Sequence, residues 1–486
     1  MHPSELLSAL ISYALEKDLI ERDEISKRLV LLCELFQYDT FEFNDQVKKP
    51  YHELMTECLD LAYNRGLIAW NTVDECDAFE AKIMDLVMPS PSVVKQRFKQ
   101  LYLQAPWEAT DYLYQLSKDV NYIKTKRLKE NIDWFHDSPY GKLQMTINLA
   151  KPEKDPRDIA NAIHQPKESI EGRPLCVICK ENEQNYWNAR MNLRIVPFTL
   201  SGELWHFQYS PYLYYNEHAI ILHDEHKPMH ISHKTFDYLF DFINQFPTYF
   251  IGSNADLPIV GGSILSHEHF QAGRHRFPIQ DAKPIRSFTH VPNLVIEHLN
   301  WPMTTIRFKS KNQDLVKEYG CHLYDLWKHY NNPALMILSS TGKTPHHTIT
   351  PIARLTEDGY ELDIILRNNR TTDAYPDGIF HPHADVHHIK KENIGLIEAM
   401  GLAILPGRLK AELDLIEKVL KHGHPYESML DKHSNWMTYL QKLPKLDSKI
   451  LLDEVGKKFE RVLIDSGVFK LDFEGIRAVH QIIMEL

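Results

Sequence analysis

A stretch with two adjacent glycines, two histidines and a glutamine contains the side chains best suited to covalent chemistry on a phosphate. Gly261 and Gly262 lack a Cβ atom, so the backbone there can approach a phosphate closely. If the following residues are extended, side-chain alternation places His267, His269 and Gln271 on one face of a strand. One imidazole could act as a nucleophile while the other is anchored elsewhere, and the amide could donate to a phosphoryl oxygen. The pattern indicates a site suited to covalent nucleotidyl transfer.

A His-x-His pair is a weak signal by itself, because 27 histidines in 486 residues produce such pairs by chance. The chain has three of them: His267/His269, His381/His383 and His422/His424. The first pair differs from the others because glycines precede it, a glutamine follows it and a Cys-x-x-Cys motif lies upstream.

The composition limits the class of protein. A chain of 486 residues that is 43% hydrophobic and 25% charged is an ordinary globular protein, which we expect to form two or three domains. The net charge of −11 argues against a protein that binds nucleic acid by neutralising phosphates. No apolar run reaches the ~18 residues of a membrane helix, and we see no signal-peptide core. Four of the six cysteines are scattered singly, so we expect a cytoplasmic protein with no redox cofactor.

Hydrophobic spacing divides the chain into four segments and predicts an α+β fold. Helical periodicity dominates 1–135 and 421–486, whereas strand patterns dominate 136–290 and 291–420. The expected strands are 143–149, 192–196, 204–209, 219–222, 334–338, 348–354 and 361–366. The expected helices between them are 235–246 and 394–404. The two strand-rich segments have similar sizes, which suggests a duplicated unit.

The Cys-x-x-Cys motif at Cys176 and Cys179 predicts a metal site. Two thiolates at this spacing suit tetrahedral zinc, which needs two further ligands. The candidates are His226, in a turn-like segment, and His267. Such a site would tie the cysteine loop to the backbone that presents His269. A redox pair or two incidental thiols are the alternatives.

Polar side chains near predicted strand ends could bind a nucleotide or a sugar. Arginine can hold a diphosphate bidentately, and asparagine or aspartate can read uracil edges or ribose hydroxyls. The candidates are Asn192, Arg194, Asn254 and Asp256, together with the backbone of Gly262. Turn caps and solvated strand faces are the alternative roles. The histidine-rich segment 381–388 could form a second metal site, although its spacing is not diagnostic.

Five blocks of the sequence resemble the galactose-1-phosphate (hexose-1-phosphate) uridylyltransferases, specifically the bacterial class II branch. They are 143–155 (LQMTINLAKPEKD), 174–183 (PLCVICKENE), 208–218 (QYSPYLYYNEH), 250–273 (FIGSNADLPIVGGSILSHEHFQAG) and 381–409 (HPHADVHHIKKENIGLIEAMGLAILPGRL). The resemblance spans nearly the whole chain, including the helical N-terminal segment. It implies a histidine-triad-like fold in two related antiparallel halves, a ping-pong reaction and a homodimer.

In that family, the second histidine of a His-x-His-x-Gln motif attacks the α-phosphorus of UDP-glucose. Glucose-1-phosphate leaves, and galactose-1-phosphate then takes the uridylyl group from the histidine. The resemblance therefore implies that His269 is the nucleophile and that Gln271 hydrogen-bonds the phosphoryl group. Four residues match the structural zinc ligands of the class I branch: Cys176, Cys179, His226 and His267.

Several positions differ from the class I pattern. Glu268 stands where class I has proline, and Phe270 stands where class I has glycine. An isoleucine occupies the position of the class I serine, with Ser263 and Ser266 on either side, so either serine could contact phosphate. The strand 362–366 lacks the histidines of the class I iron site, and we expect no such site there.

The residues and the resemblance together predict a cytoplasmic enzyme that transfers a uridylyl group from UDP-glucose to galactose-1-phosphate. One alternative is a histidine-triad nucleotide hydrolase or phosphorylase, in which water or inorganic phosphate is the acceptor. The other is a zinc-stabilised nucleotide-binding protein without turnover.

Overall fold

The N-terminal part of the protein is helical, as the spacing predicts. The computed structural model describes residues 2–69, 72–149, 174–185, 189–262 and 264–486. The N-terminal helices are α1 Pro3–Glu16, α2 Ile25–Leu35, α3 Tyr51–Asn64, α4 Val73–Leu86, α5 Pro91–Tyr102, α6 Pro106–Asp119 and α7 Thr125–Leu128. Thr72 caps α4 by accepting a hydrogen bond from the amide of Glu75. Prolines open α5 and α6 at the position where a helix tolerates them.

Two groups of strands build one ten-stranded antiparallel sheet, after a first hairpin of β1 Ile132–Ser138 and β2 Gly141–Asn148. The first group is β3 Val196–Leu200, β4 Glu203–Tyr209, β5 Ala219–His223, β6 Phe250–Gly252 and β7 His269–Gly273. The second is β8 Pro284–Phe288, β9 Val295–Leu299, β10 Thr305–Ser310, β13 His347–Thr356 and β14 Gly359–Asn368, with the small hairpin of β11 Ser340–Thr341 and β12 Thr344–Pro345 inserted. The order is β3-β4-β5-β7-β6-β13-β14-β10-β9-β8, so the groups meet where β6 pairs with β13.

Different elements cover the two faces of this sheet. The helices α8 His233–Gln245 and α9 Gln313–His329 share one core with the N-terminal helices, and Phe270 of β7 is buried there. A second core contains Phe250 of β6, the hairpin β1-β2 and β15 Leu402–Pro406, which pairs with β2 in parallel. The remaining helices are α10 Leu396–Ala399, α11 Arg408–His422, α12 Ser434–Leu440, α13 Ser448–Ser466 and α14 Phe473–Met484. Helices and antiparallel strands therefore combine in a mixed α+β fold, as expected.

No helix in the described part of the chain is both long enough and apolar enough to cross a membrane. Side-chain alternation along β7 places His269 and Gln271 opposite Phe270, on the face of the sheet that carries Phe250. The predicted catalytic side chains therefore point away from the N-terminal helices.

Three of the predicted elements are wrong. The segment 192–196 is a loop that joins the strand only at its last residue. The segment 334–338 contains the end of a 3₁₀ turn, and Met336 has a φ of 60°, which no strand residue adopts. The segment 394–404 holds the short helix α10 and the start of β15. Gly401, with a φ of 97°, separates the two because its backbone conformation ends the helix.

Candidate active site

The four predicted metal ligands come together just before β7. Nδ1 of His226 lies 3.2 Å from Sγ of Cys179, and Nδ1 of His267 lies 3.4 Å from Sγ of Cys176. The two sulfur atoms are 3.4 Å apart, and all four ligand atoms lie within 4.8 Å of one another. A tetrahedron with Zn–S bonds of about 2.3 Å and Zn–N bonds of about 2.0 Å has edges of about 3.5 Å. The cluster can therefore hold one tetrahedral metal ion.

The hydrogen bond of His267 gives its ring the tautomer that metal binding requires. Nε2 of His267 lies 2.9 Å from the carbonyl oxygen of His223, which can only accept, so Nε2 carries the proton and the Nδ1 lone pair faces the sulfurs. Burial and the neighbouring Cys176 raise the pKa of the Cys179 thiol to about 12. Burial also acts on Cys176, but hydrogen bonding to His267 lowers the pKa of that thiol. A metal that binds both thiolates must therefore displace a proton.

His269 is the first residue of β7 and is only 5% exposed. Its Nδ1 lies 2.8 Å from the carbonyl oxygen of His267. Because that oxygen accepts, Nδ1 carries the proton and Nε2 keeps its lone pair. Burial lowers the pKa of His269 to about 4, so the ring is neutral at pH 7. A neutral imidazole with its Nε2 lone pair available can act as a nucleophile.

Gln271 lies on the same face of β7, two residues beyond His269. Its Oε1 is buried, and no described residue donates a hydrogen bond to it. Gly252 of β6 stands directly opposite, so no side chain from that strand covers the amide. The side chain of Gln271 therefore shares the strand face of His269, and its Oε1 is unpaired within the described residues.

Glu268, between the two histidines, is fastened to the turn that carries His226. The Glu268 amide donates to the carbonyl of Lys227 at 2.7 Å, and the two side chains form an ion pair of 3.1 Å. The carbonyl of Glu268 accepts from the amide of His223 at 3.0 Å. These contacts fix the backbone at the position where class I enzymes have a proline.

The glycine-rich loop before His267 packs against the side chain of Asn254, which is bonded elsewhere in the protein. A Cβ atom on Gly262 would lie 2.8 Å from Cγ of Asn254, so only glycine leaves room for that amide. Oδ1 of Asn254 accepts from the amide of Leu396 at 2.8 Å and ties the loop to α10. Ser266 is exposed, and Ser263 lies outside the described residues. Contact of these residues with phosphate stays a prediction.

The other predicted substrate-binding side chains direct polar atoms to protein partners. Arg194 pairs with Asp85 of α4 at 2.8 Å, and Nδ2 of Asn192 donates to the carbonyl of Val120 at 2.8 Å. Asp256 accepts from a threonine hydroxyl and from a backbone amide. The first two contacts join the strand-rich part to the N-terminal helices. A role of these residues in substrate binding stays a prediction.

The histidines of segment 381–388 form hydrogen bonds. Nδ1 of His388 lies 2.8 Å from Nδ1 of His433, whose Nε2 lies 2.9 Å from Glu412. His381 contacts the side chain of Asn393. Across the described ranges, the Cys176 cluster is the one group of three or more such residues placed to hold a metal ion. The described residues therefore give no support to a second metal site in segment 381–388.

Two features near the site are not evident from the sequence. One is the ion pair between Glu268 and Lys227, and the other is His218, a buried imidazole just before β5. A lone histidine ahead of a strand forms no motif, and an ion pair across two loops has no local signal. The only hint is that residues 208–218 form one of the blocks that carry the family resemblance.

Comparison with known proteins places the chain in a family. Residues 32–228 match the N-terminal domain of galactose-1-phosphate uridyl transferase, and residues 242–438 match its C-terminal domain. The galactose-1-phosphate uridylyltransferase of Caldanaerobacter subterraneus is 45% identical, over 97% of this chain and 96% of that protein. Those of Clostridium acetobutylicum and Bacillus subtilis are 46% and 42% identical, over 98% and 99% of this chain and 98% and 97% of those proteins. The chain belongs to the galactose-1-phosphate uridylyltransferase family.

Proposed function

We propose that this protein transfers the uridylyl group from UDP-glucose to galactose-1-phosphate through a covalent histidine intermediate. The observation that carries the proposal is the hydrogen bond from Nδ1 of His269 to the His267 carbonyl, which keeps the Nε2 lone pair available. Relatives with 42–46% identity along nearly the whole chain are galactose-1-phosphate uridylyltransferases, which supports this choice of substrates.

The reaction proceeds in two similar half-reactions. Nε2 of His269 attacks the α-phosphorus of UDP-glucose, the phosphorus–oxygen bond to the β-phosphate breaks, and glucose-1-phosphate leaves with the bonding electrons. A phosphate oxygen of galactose-1-phosphate then attacks the same phosphorus, the phosphorus–nitrogen bond breaks, and UDP-galactose leaves. Because the second half-reaction reverses the bond changes of the first, positioning and charge stabilisation suffice without a strong base.

The protein contributes two interactions at the reacting phosphorus. The carbonyl of His267 accepts from Nδ1 of His269 and stabilises the positive charge that develops on the ring during attack. The amide of Gln271, on the same strand face, donates to a phosphoryl oxygen. Gly262, Ser263 and Ser266 are candidates for further phosphate contacts from the preceding loop.

We propose zinc as the occupant of the Cys176, Cys179, His226 and His267 cluster. Two thiolates and two imidazoles at tetrahedral spacing are a donor set that zinc prefers. All four positions are filled by protein atoms, so the metal would supply a fixed, structural junction. The residues around it would orient the His267 carbonyl, which in turn orients His269.

We also propose that the protein works in the cytoplasm as a homodimer and binds neither nucleic acid nor membrane. Four singly placed cysteines support the cytoplasmic location. The net charge of −11 supports the absence of nucleic-acid binding. The dimer rests on the family resemblance. Sedimentation at micromolar concentration tests it, because a monomer would contradict it.

Intact mass spectrometry tests the proposed function directly. After mixing with UDP-glucose, we expect one added uridylyl group per chain, which disappears when galactose-1-phosphate is added. A histidine-triad hydrolase would lose the adduct to water without an acceptor, and a phosphorylase would lose it to inorganic phosphate. A nucleotide-binding protein without turnover would form no adduct at any concentration of UDP-glucose.

A further inference from the structure

His218 is a buried imidazole without polar contacts from its ring. The residue is 2% exposed, and neither Nδ1 nor Nε2 has a hydrogen-bond partner among the described residues. Buried polar groups in folded proteins are nearly always paired, so a ring with both nitrogens unpaired needs an explanation. The functional residues described above do not account for it.

The ring of His218 is nevertheless held firmly. It packs against Tyr215 with ring centroids 4.4 Å apart and against Tyr214 at 5.4 Å. The Tyr215 hydroxyl donates to the carbonyl of Ala272, which anchors that ring to β7. The carbonyl of His218 accepts from the amide of Ser210, so the backbone is fixed as well. Among the described residues, the polar edge of the imidazole has no hydrogen-bond partner.

The register of the sheet puts His218 on the same face as the proposed nucleophile. Ala219 pairs with Ala272 and Leu222 pairs with His269, so His218 follows in line beside Gly273. Directly paired residues in an antiparallel sheet point to the same face. His218, Gln271 and His269 therefore share the face that carries Phe250.

His218 is part of a row of unpaired polar atoms across three adjacent strands. Gln208 of β4 and Gln271 of β7 both align with Ile220 of β5, one on either side. The Oε1 atoms of both glutamines are buried and unpaired within the described ranges, as are the ring nitrogens of His218. Nε2 of Gln208 donates to the carbonyl of Ile178 between the two cysteines, which fixes that amide. The two glutamines lie in line across β4, β5 and β7, from the metal cluster to Gln271, which is two residues from His269 along β7.

The two unpaired glutamine oxygens accept hydrogen bonds and therefore fit hydroxyl groups, whereas the ring of His218 fits either a hydroxyl or a phosphoryl oxygen. Burial and the nearby His269 lower the pKa of His218 to about 3, so the ring is neutral at pH 7 and offers one donor and one acceptor. Phosphoryl oxygens accept hydrogen bonds, and hydroxyls both donate and accept. Both kinds of group occur in sugar nucleotides and in hexose phosphates.

We infer that His218 is a further substrate-contacting residue, whose ring hydrogen-bonds a phosphate or hydroxyl oxygen of the substrate next to the group that Gln271 holds. The inference rests on the proposed function for the identity of the substrate. The oxygen belongs either to the nucleotide or to the hexose phosphate. The geometry gives His218 a role in binding and orienting the substrate, with no change in the covalent steps at His269.

Substitution by phenylalanine and glutamine separates this role from a structural one. His218→Phe keeps the ring against Tyr215 and removes both nitrogens, whereas His218→Gln restores a donor and an acceptor. His298→Phe is the matched control, because His298 is 1% exposed, has an unpaired Nδ1 within the described chain and lies on β9 in the other group of strands.

The expected result is loss of function without loss of stability. In His218→Phe, the rate of uridylyl-enzyme formation or its discharge by galactose-1-phosphate falls about 10- to 100-fold. The melting temperature of the ligand-free protein stays equal or rises, because an unpaired polar edge is replaced by carbon. His218→Gln recovers part of the rate, and His298→Phe retains wild-type rates.

Binding to proteins that carry His269→Ala identifies the contacted part of the substrate without requiring turnover. Calorimetry uses UMP and galactose-1-phosphate as probes, with and without His218→Phe. Weaker binding of UMP assigns the contact to the nucleotide, and weaker binding of galactose-1-phosphate assigns it to the hexose phosphate. Either result supports the inference.

Two results would overturn the inference. One is wild-type rates and affinities in His218→Phe. The other is a melting temperature that falls together with activity and is not rescued by glutamine, which would make His218 a packing residue. A wild-type protein that forms no uridylyl adduct would refute the proposed function alone, since the binding measurements would still decide the role of His218.

Discussion

The carbonyl oxygen of His267 accepts a 2.8 Å hydrogen bond from Nδ1 of His269. The ring of His267 uses Nε2 to bind the His223 carbonyl and turns Nδ1 towards the two cysteines. His267 thus connects the two sites. Its side chain lies in the metal cluster, and its backbone carbonyl accepts a hydrogen bond from the proposed nucleophile, His269. Stability of the cluster and reactivity of His269 should therefore be coupled.

Removal of the nucleophile gives the most direct prediction. We expect His269→Ala to lower both half-reactions by at least about 10⁴-fold, because no other group supplies the attacking nitrogen. Affinity for UDP-glucose should change little, since ring truncation leaves the remaining contacts in place. Rapid-quench measurement of uridylyl-enzyme formation, with calorimetry for binding, tests both parts. Substantial adduct on the variant would contradict the assignment of His269.

The metal cluster gives a second prediction. Wild-type protein should contain about one zinc per chain, and Cys176→Ser should lose it, because three ligands bind zinc far more weakly than four. We expect a lower melting temperature and slower uridylyl transfer, since the His267 carbonyl loses its support. Cys321→Ser is the control, because this half-buried thiol on α9 lies outside the cluster. Unchanged zinc content and stability in Cys176→Ser would argue against the site.

The sequence predicted those strands and ligands whose pattern is visible within a few consecutive residues. The strands 204–209, 219–222, 348–354 and 361–366 are confirmed. Most of their residues are buried on both faces, and a short run rich in apolar and β-branched residues marks such a strand in the sequence itself. The Cys-x-x-Cys spacing likewise identified half of the metal cluster. The other half, His226 and His267, was also among the predicted ligands, and the structure brings both to the two cysteines.

Long-range pairing explains what the sequence did not predict. The sequence makes Arg194 a candidate for binding a diphosphate. In the structure its guanidinium instead forms an ion pair with Asp85 of α4, which lies far earlier in the chain. The strand β15 resembled the end of a helix because its partner β2 lies far away in the chain. His218 becomes notable only when the fold shows that nothing in the described chain pairs with its ring. Such facts depend on tertiary contacts, which spacing does not encode.

The second group of strands contains a buried ion network that yields a stability prediction. Asp363 of β14 bonds Arg307 at 2.6 Å and Arg354 at 2.8 Å, and these arginines hold the pKa of its buried carboxyl at about 2. Asp363→Asn removes the charge between two buried guanidinium groups, so we expect a loss of about 3–5 kcal/mol in the free energy of unfolding.

An exposed pair provides the matched control for this change. Arg276 and Asp281 form an ion pair with both side chains about two-thirds exposed, so Asp281→Asn should cost less than about 1 kcal/mol. Urea denaturation of both variants measures the difference. Equal, small effects would mean that the Asp363 network contributes no more than a surface pair.

Buried histidines should make the protein less stable in mild acid. Burial lowers the pKa of His298 and of His347 to about 4, and burial with the nearby His433 lowers that of His388 to about 3. An unfolded histidine titrates near about 6.5, so between that pH and about 4 the unfolded chain binds more protons than the folded one. The stability that depends on these neutral histidines is therefore fully present above about pH 6.5 and is lost progressively as the pH falls.

Replacing one of these histidines tests the sign and size of the effect. His298→Phe removes one such group, so between pH 6 and 5 its free energy of unfolding should fall less steeply than that of the wild type, by about 1 kcal/mol per pH unit. Urea denaturation at several pH values measures both slopes. Equal slopes would mean that His298 binds its proton as readily in the folded protein as in the unfolded chain. The ring is almost fully buried and has an unpaired Nδ1 within the described chain, so the folded state has little means of accommodating that charge.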